Sequence, residues 1–303
     1  MAARATSPSA FVPARPPHAG GTTEPRSPPF RVSVLGVDVA VVTGAGRGLG
    51  RAIAARLADR GDVVFLAGVD SGAAAAAASE LGGAARGVEL DVRDPDASRR
   101  VAREAAATGR LWTWVNNAGV SFAGAPWEHS DEQVRLAVEV NVLGVVHGAR
   151  AAIGEMAEGG RILNVASLAA LGPVPGLAVY SATKHAVLAF GAGLAGDLRA
   201  AGRAIEVRTL CPDAIDTRMV HALVESPEAA ILWSAPTLLS TEEVADRAIA
   251  LLDGRRHRAS VPAWRGALLR AFDLSPGLAL RALPLFRRIG ERNRRQWREQ
   301  AGL

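Results

Sequence analysis

Tyrosine and lysine are almost missing from this 303-residue sequence, which holds one of each, Tyr180 and Lys184, beside 34 arginines. A single cysteine, Cys211, excludes an internal disulfide and gives no sign of an oxidising compartment. It reads as a small buried residue near a strand end. No run of 18 uninterrupted apolar residues occurs, so no membrane span is expected. Residues 1–30 lack the apolar core of a secretory signal, and their Pro, Ser, Thr and Gly content reads as disorder. No His, Cys and acidic residues fall at metal-ligand spacing, so no metal is expected. His147 and His185 read as packed or partly exposed helix residues. These absences place the chain in the cytoplasm as an expectation.

Charge of one sign is scarce at the two ends. Residues 255–303 carry 12 Arg against 3 acids, and residues 1–37 carry 4 Arg against 1 acid. The stretch between them, 38–254, has 19 basic and 26 acidic residues, so the net +5 of the chain comes from its ends. A nucleic-acid partner is therefore not expected for the protein.

From residue 38 short apolar runs alternate with helical patterns. Strands are expected at 39–43, 62–68, 86–92, 111–119, 160–167, 205–212 and 258–262. Helices are expected after the first glycine loop, after residue 70, and near 95–108, 131–157, 178–201 and 241–253. Apolar strands alternating with helices imply an α/β fold, a doubly wound parallel sheet of Rossmann type covered on both faces. The organisation expected is a disordered tail at 1–37, one domain at 38–262, and a basic amphipathic extension at 263–303. Pro276 and Pro284 are expected to break that extension into short helices. It reads either as helix packed on its own domain or a partner subunit, or as an interfacial helix making peripheral contact with anionic lipid.

"TGAGRGLG" (43–50) lies between the first strand and the first helix, where a pyrophosphate would rest on a helix N-terminus. Gly44, Gly48 and Gly50 fit G-x-x-x-G-x-G. Together with "DV" at 91–92, "NNAG" at 116–119, Asn141, Ser167 and "YSATK" at 180–184, the loop resembles the short-chain dehydrogenase/reductase family over about residues 38–262. That resemblance implies an NAD(P)-dependent oxidoreductase. It further implies cofactor contacts from Thr43, Gly44, Arg47, Gly48, Leu49 and Gly50, from Asp91 and Val92, and from Asn117, Ala118 and Gly119. Pro212 and Thr217 complete the set beyond the sixth strand, with Asp213 standing where the family usually has glycine. Asp91 is implied to accept from the adenine amine, Ser167 to hydrogen-bond the substrate oxygen, and Asn141 to hold a water in a proton relay.

The pair Tyr180 and Lys184 also has a direct chemical reading. A ketone receiving hydride needs a proton donor at its oxygen, and a free phenol with pKa near 10 is a poor base for the reverse reaction. A cation one helical turn away, at i+4, favours the phenolate and lowers that pKa. An ammonium fits this place, and the nicotinamide ribose, better than the wider guanidinium.

Cofactor choice leans to NADP. Gly68 stands where an acid would accept from the adenosine ribose, Asp70 follows two residues later, and Arg47 could pair with a 2′-phosphate. The substrate is expected to be an apolar alcohol or carbonyl enclosed by "SFAGAPW" after 120, "LAALGPVPGLA" after Ser167 and residues 213–240. A homodimer or homotetramer is expected. Two other readings are a regulatory module that binds the cofactor without turnover and a membrane-surface protein dominated by its basic tail.

Overall fold

The computed structural model describes residues 36–301. The expectation of a disordered tail falls almost wholly on residues outside that range. Chain order begins β1 (Asp38–Thr43), α1 (Gly48–Ala58), β2 (Val63–Gly68), α2 (Ser71–Leu81), β3 (Arg86–Glu89), α3 (Pro95–Thr108) and β4 (Arg110–Asn116). A long helical run follows, α4 (Asp131–Val138) and α5 (Gly144–Glu155), joined through a π-helical turn at Glu139–Leu143. The series continues with β5 (Arg161–Val165), α6 (Ala178–Ala200), β6 (Glu206–Pro212), α7 (Arg218–His221), α8 (Thr241–Asp253), β7 (Arg258–Val261), α9 (Ala263–Leu274) and α10 (Pro276–Ala301).

The strands pair in the order β3-β2-β1-β4-β5-β6-β7, all parallel. The order reverses between β1 and β4, so the loops leaving their C-terminal ends diverge and open a crevice. Apolar runs such as Val39–Val42 are fully buried because both faces of the sheet are covered. One layer packs α1, α2 and α8 residues on the sheet, and the other packs α3, α5 and α6 residues around Trp114 and Phe65. Small residues set the spacing of that second layer. A Cβ on Gly148 of α5 would lie 2.2 Å from Asn116 Oδ1, and one on Gly191 of α6 would lie 2.6 Å from Thr209 Oγ1.

Helix starts follow local chemistry. Asp70 accepts from the Ala73 amide, Asp94 from the Asp96 amide, and Ser130 with Gln133 forms a reciprocal capping box. Asp131–Glu155 has the length and composition of a membrane span, yet this run packs against β4 and carries Asn141 into the interior.

One expectation is corrected here. Pro284 does not break the extension, because α10 runs through it for 26 residues. The proline is exposed, while Ala279 before it and Gly290 after it are buried against the domain. Tertiary anchoring on both sides holds the helix across the missing amide bond. The anchoring is specific: Asn293 donates to the carbonyls of Trp233 (2.9 Å) and Ala235 (3.0 Å), and Trp297 packs against Trp233 with ring centroids 6.2 Å apart.

Candidate active site

The loop from β1 to α1 shows why it needs glycine. Gly44 and Gly48 have φ of 65° and 55°, where a side chain is strained. A Cβ on Gly50 would approach the Gly44 carbonyl oxygen to 2.4 Å. Gly46, which the sequence reading passed over, is also confined, with Ala73 and Ala74 of α2 3.1 to 3.2 Å from a Cβ position. Helix α1 starts with no acidic residue in its first turn and no side-chain cap, leaving its amides free to meet an anion. The dinucleotide pyrophosphate fits this cradle.

Around it the predicted residues fall into two sets. Gly44, Arg47, Gly48, Leu49, Gly50, Asp91, Val92, Asn117, Ala118, Gly119, Pro212 and Thr217 line one continuous cavity of about 1140 Å³. Thr43 lies behind it, where its hydroxyl accepts from the amides of Asn117 and Ala118 (both 3.0 Å) and donates to the Val115 carbonyl. It shapes the turn and does not line the cavity. Asp70 is not on the wall either. Its carboxylate caps α2, and Gly68 and Val69 face the cavity in its place. Asp91 is paired with Arg93, and that guanidinium holds the carboxyl below its ordinary range. The sequence reading missed Arg93 because its charge gives no hint of the pairing.

At the far end of β5, Ser167 leaves the strand in extended backbone and accepts from the Ala169 amide at 3.1 Å. The Ala169 carbonyl in turn accepts from Ser181 Oγ of α6 at 2.6 Å, so the serine loop is tied to the helix bearing Tyr180 and Lys184. Burial dominates at Tyr180 and pushes the phenol up to about 12, against a smaller pull towards the phenolate from neighbouring Ser167. Lys184 is buried as well. Its ammonium donates to the Val165 carbonyl at 3.0 Å and lies 5.6 Å from the Tyr180 ring centroid, and burial pulls its pKa down to about 8.

This corrects the expected direction for Tyr180. Desolvation penalises both charged forms, and the lysine is turned to a backbone carbonyl rather than to the phenol oxygen.

Asn141 is fully buried in the π-helical turn. Its amide nitrogen donates to the Val120 carbonyl (2.9 Å) and to Thr183 Oγ1 (3.1 Å), and its oxygen accepts from the Val120 amide at 2.8 Å. A Cβ on Gly119 would meet Asn141 Oδ1 at 3.3 Å and Lys184 Nζ at 3.6 Å, so the three converge. A π turn is a frequent device at functional positions because it re-aims one side chain within a helix. His147 and His185 bond the carbonyls of Val92 and Ser181 and stand off the cavity. Cys211 is buried, with its thiol pushed up to about 11 by burial.

The far wall was only partly foreseen. Leu168, Val174 and Leu177 line it, as do Ile215, Leu223 and Leu232. Of "SFAGAPW", Ser121 alone reaches the cavity, and Trp127 is exposed. The remaining wall comes from the extension: Leu268, Leu269 and Phe272 of α9, and Leu283 and Phe286 of α10. Asp213 keeps ordinary backbone angles, so its occurrence has nothing to do with glycine-like freedom. It forms an ion pair with Arg265 of α9, each side chain 11% exposed, and Arg265 also donates to Ser234 Oγ at 2.9 Å.

A family model described as short chain dehydrogenase matches residues 38–228. The chain belongs to that family. Among curated relatives, this dehydrogenase is 40% identical over 219 residues to a 1-deoxy-11-beta-hydroxypentalenate dehydrogenase of Streptomyces arenae, covering 68% of this chain and 76% of the relative. It is 33% identical to a 3-oxoacyl-acyl-carrier-protein reductase of Escherichia coli, over 71% and 88% of the two chains. Among solved structures, a short chain dehydrogenase/reductase from Burkholderia phymatum in complex with NAD superposes with a TM-score of 0.73. That pair shares 31% identity over 80% of this chain and 95% of the other. The chain is thus an oxidoreductase of the short chain dehydrogenase family with a nicotinamide-cofactor fold.

Proposed function

We propose that this dehydrogenase interconverts an apolar alcohol and its ketone or aldehyde, using NAD(P) with a preference for NADP, and that Tyr180 is its acid/base. The observation that carries the reading is the placement of Ser167 and Tyr180 together on a cavity whose opposite wall is apolar, with Lys184 one helical turn away. A bound nicotinamide would supply or accept the hydride.

In carbonyl reduction Tyr180 gives its proton to the substrate oxygen while Ser167 donates a hydrogen bond to the same atom. A phenol raised to about 12 is fully protonated at neutral pH, as a donor must be. In alcohol oxidation the same burial disfavours the phenolate that must accept the proton. The reverse reaction therefore needs the Lys184 ammonium to approach the phenol oxygen. Asn141 positions this set through Val120 and Thr183, and a water held by it would complete the proton path.

Support for NADP comes from the second strand. The space beside Gly68 is open, with nothing within 4 Å of a Cβ position, and Asp70 is held as a helix cap. Exposed Arg47 stands on the same cavity. Val138 and Leu143, exposed along the α4–α5 run, support assembly into a homodimer or homotetramer. The buried thiol of Cys211 suits a reducing cytoplasm.

The test is a panel of apolar alcohols and ketones, including the hydroxy compound named for the Streptomyces relatives, scored by reduced-nicotinamide absorbance with each cofactor. Turnover with NADPH or NADP as the better cofactor is expected. Tyr180→Phe should bind cofactor within a few-fold of the parent and lose turnover. Substantial turnover by that variant would remove Tyr180 from the mechanism.

A further inference from the structure

Helix α10 has two chemically distinct sides. The inner side is spoken for: Ala279 is buried, a Cβ on Gly290 would lie 2.0 Å from the Ala230 carbonyl oxygen, and Asn293 and Trp297 hold the helix to the loop before α8. Three arginines are also engaged. Arg294 donates to the Ser226 carbonyl, Arg298 pairs with Glu225, and Arg287 lies 3.5 Å from Glu291.

The outer side differs. At ~100° per residue, Leu278, Leu285 and Ile289 fall within about 40° of one another. Arg281, Arg288, Arg292 and Arg295 occupy the adjoining ~60°. Leu278 and Leu285 are 58% and 59% exposed, and Leu274 at the end of α9 is 87% exposed. Among the described residues none of these four arginines has an acidic partner or a hydrogen bond.

An exposed apolar stripe beside a row of unpaired cations is costly in water and has one natural complement, apolar chains under a negatively charged surface. We propose that the outer face of α10 seats the protein on an anionic lipid bilayer, with Leu278, Leu285 and Ile289 entering the acyl boundary and Arg281, Arg288, Arg292 and Arg295 meeting the lipid phosphates. The helix lies in the interface, since its inner side is anchored to the domain and is unavailable for spanning. A self-associating surface would instead bring the four arginines of one copy towards those of another, which disfavours a second copy as the occupant. If the substrate is apolar, as proposed above, the position has a use. Leu283 and Phe286 on the inner side of the same helix line the cavity, so the bilayer would lie on the outer side of a helix that walls it.

Flotation of the full chain with vesicles tests the seat without relying on activity. Wild type is expected to float with phosphatidylcholine vesicles containing phosphatidylglycerol at low salt, and not with phosphatidylcholine alone or in ~1 M salt. Replacing Arg281, Arg288, Arg292 and Arg295 together with Gln should weaken partitioning on the order of 1000-fold. Leu278→Ser with Leu285→Ser should also release the protein. Both variants change exposed residues and should keep the parent's melting temperature and cofactor affinity. Absence of flotation, or flotation unchanged in the arginine variant, would overturn the proposal. So would loss of a concentration-dependent dimer in the serine variant, which would identify the stripe as a contact between copies.

Discussion

Removing the guanidinium from Arg265 would leave Asp213 as a buried carboxylate without its cation. Burial raises the Asp213 pKa, and Arg265 pulls it back down by charge and hydrogen bond. Breaking one side of a buried ion pair typically costs about 3–5 kcal/mol. A domain of this size loses roughly 2–4 °C of Tm per kcal/mol, so Arg265→Leu should melt roughly 6–20 °C lower at pH 7. Proton uptake by Asp213 limits the loss, and the sign of that effect can be followed. In the variant the folded carboxyl has a pKa above its unfolded value near 3.9. The stability it contributes is complete below that value and is lost as pH rises through the folded pKa. The deficit against wild type should therefore shrink between pH 7 and pH 4. Asp213→Gly combined with Arg265→Leu leaves neither charge buried and should regain most of the loss. Calorimetry of the three proteins at pH 4, 5.5 and 7 gives the answer. A single variant within 2 °C of wild type at pH 7, or a double variant no better than the single, would refute the idea that this pair fastens α9 to the loop after β6.

Lys184→Arg should abolish turnover while the fold persists, because a guanidinium does not fit where the buried ammonium reaches Val165; steady-state rates with unchanged circular dichroism would show this. Gly50→Ala forces a methyl against the Gly44 carbonyl, an overpacking cost of about 1–3 kcal/mol that should weaken cofactor binding roughly 10–100-fold by fluorescence titration. Asp62, raised to about 6 chiefly by burial, is ionised at a cost at neutral pH. Asp62→Asn should then gain about 1–2 kcal/mol at pH 7, discounted for its partial exposure, and nothing below about pH 4, measured by urea melts.

The parallel sheet and the cofactor crevice were open to reading because they rest on local pattern. Runs such as Val39–Thr43 followed by a glycine loop and a helical period specify a parallel unit, and its hand and position follow from chain geometry. The side chains around Tyr180 were legible because one residue type stands out against a background of arginine. Long-range pairings were not. Nothing local links Asp213 to Arg265, 52 positions later, and the aspartate looked like a departure until α9 supplied its partner. The persistence of α10 across Pro284 and the contribution of Leu283 and Phe286 to the cavity share that cause, since both depend on packing against residues far away in sequence. The capping role of Asp70 was overlooked for the opposite reason. Its strongest interaction is with an amide three residues on, and a helix start competed successfully for the carboxylate.

The division of the cavity between early and late parts of the chain has a consequence in time. A chain emerging from the ribosome at ~5–20 residues per second presents the glycine loop, Ser167, Tyr180 and Lys184 well before α9 and α10. The cofactor crevice can close while residues 263–301 are still being made. For that interval of a few seconds the apolar wall near Leu177 and Leu232 faces open solvent and meets whatever apolar surface is nearest. Nicotinamide cofactor binding to the nascent domain would shorten its time in loosely packed states, and arrival of Arg265 at Asp213 would then cover the exposed wall. Stalled chains that end before residue 263 should accordingly be sticky but able to hold cofactor, whereas chains reaching Trp297 should shed chaperones.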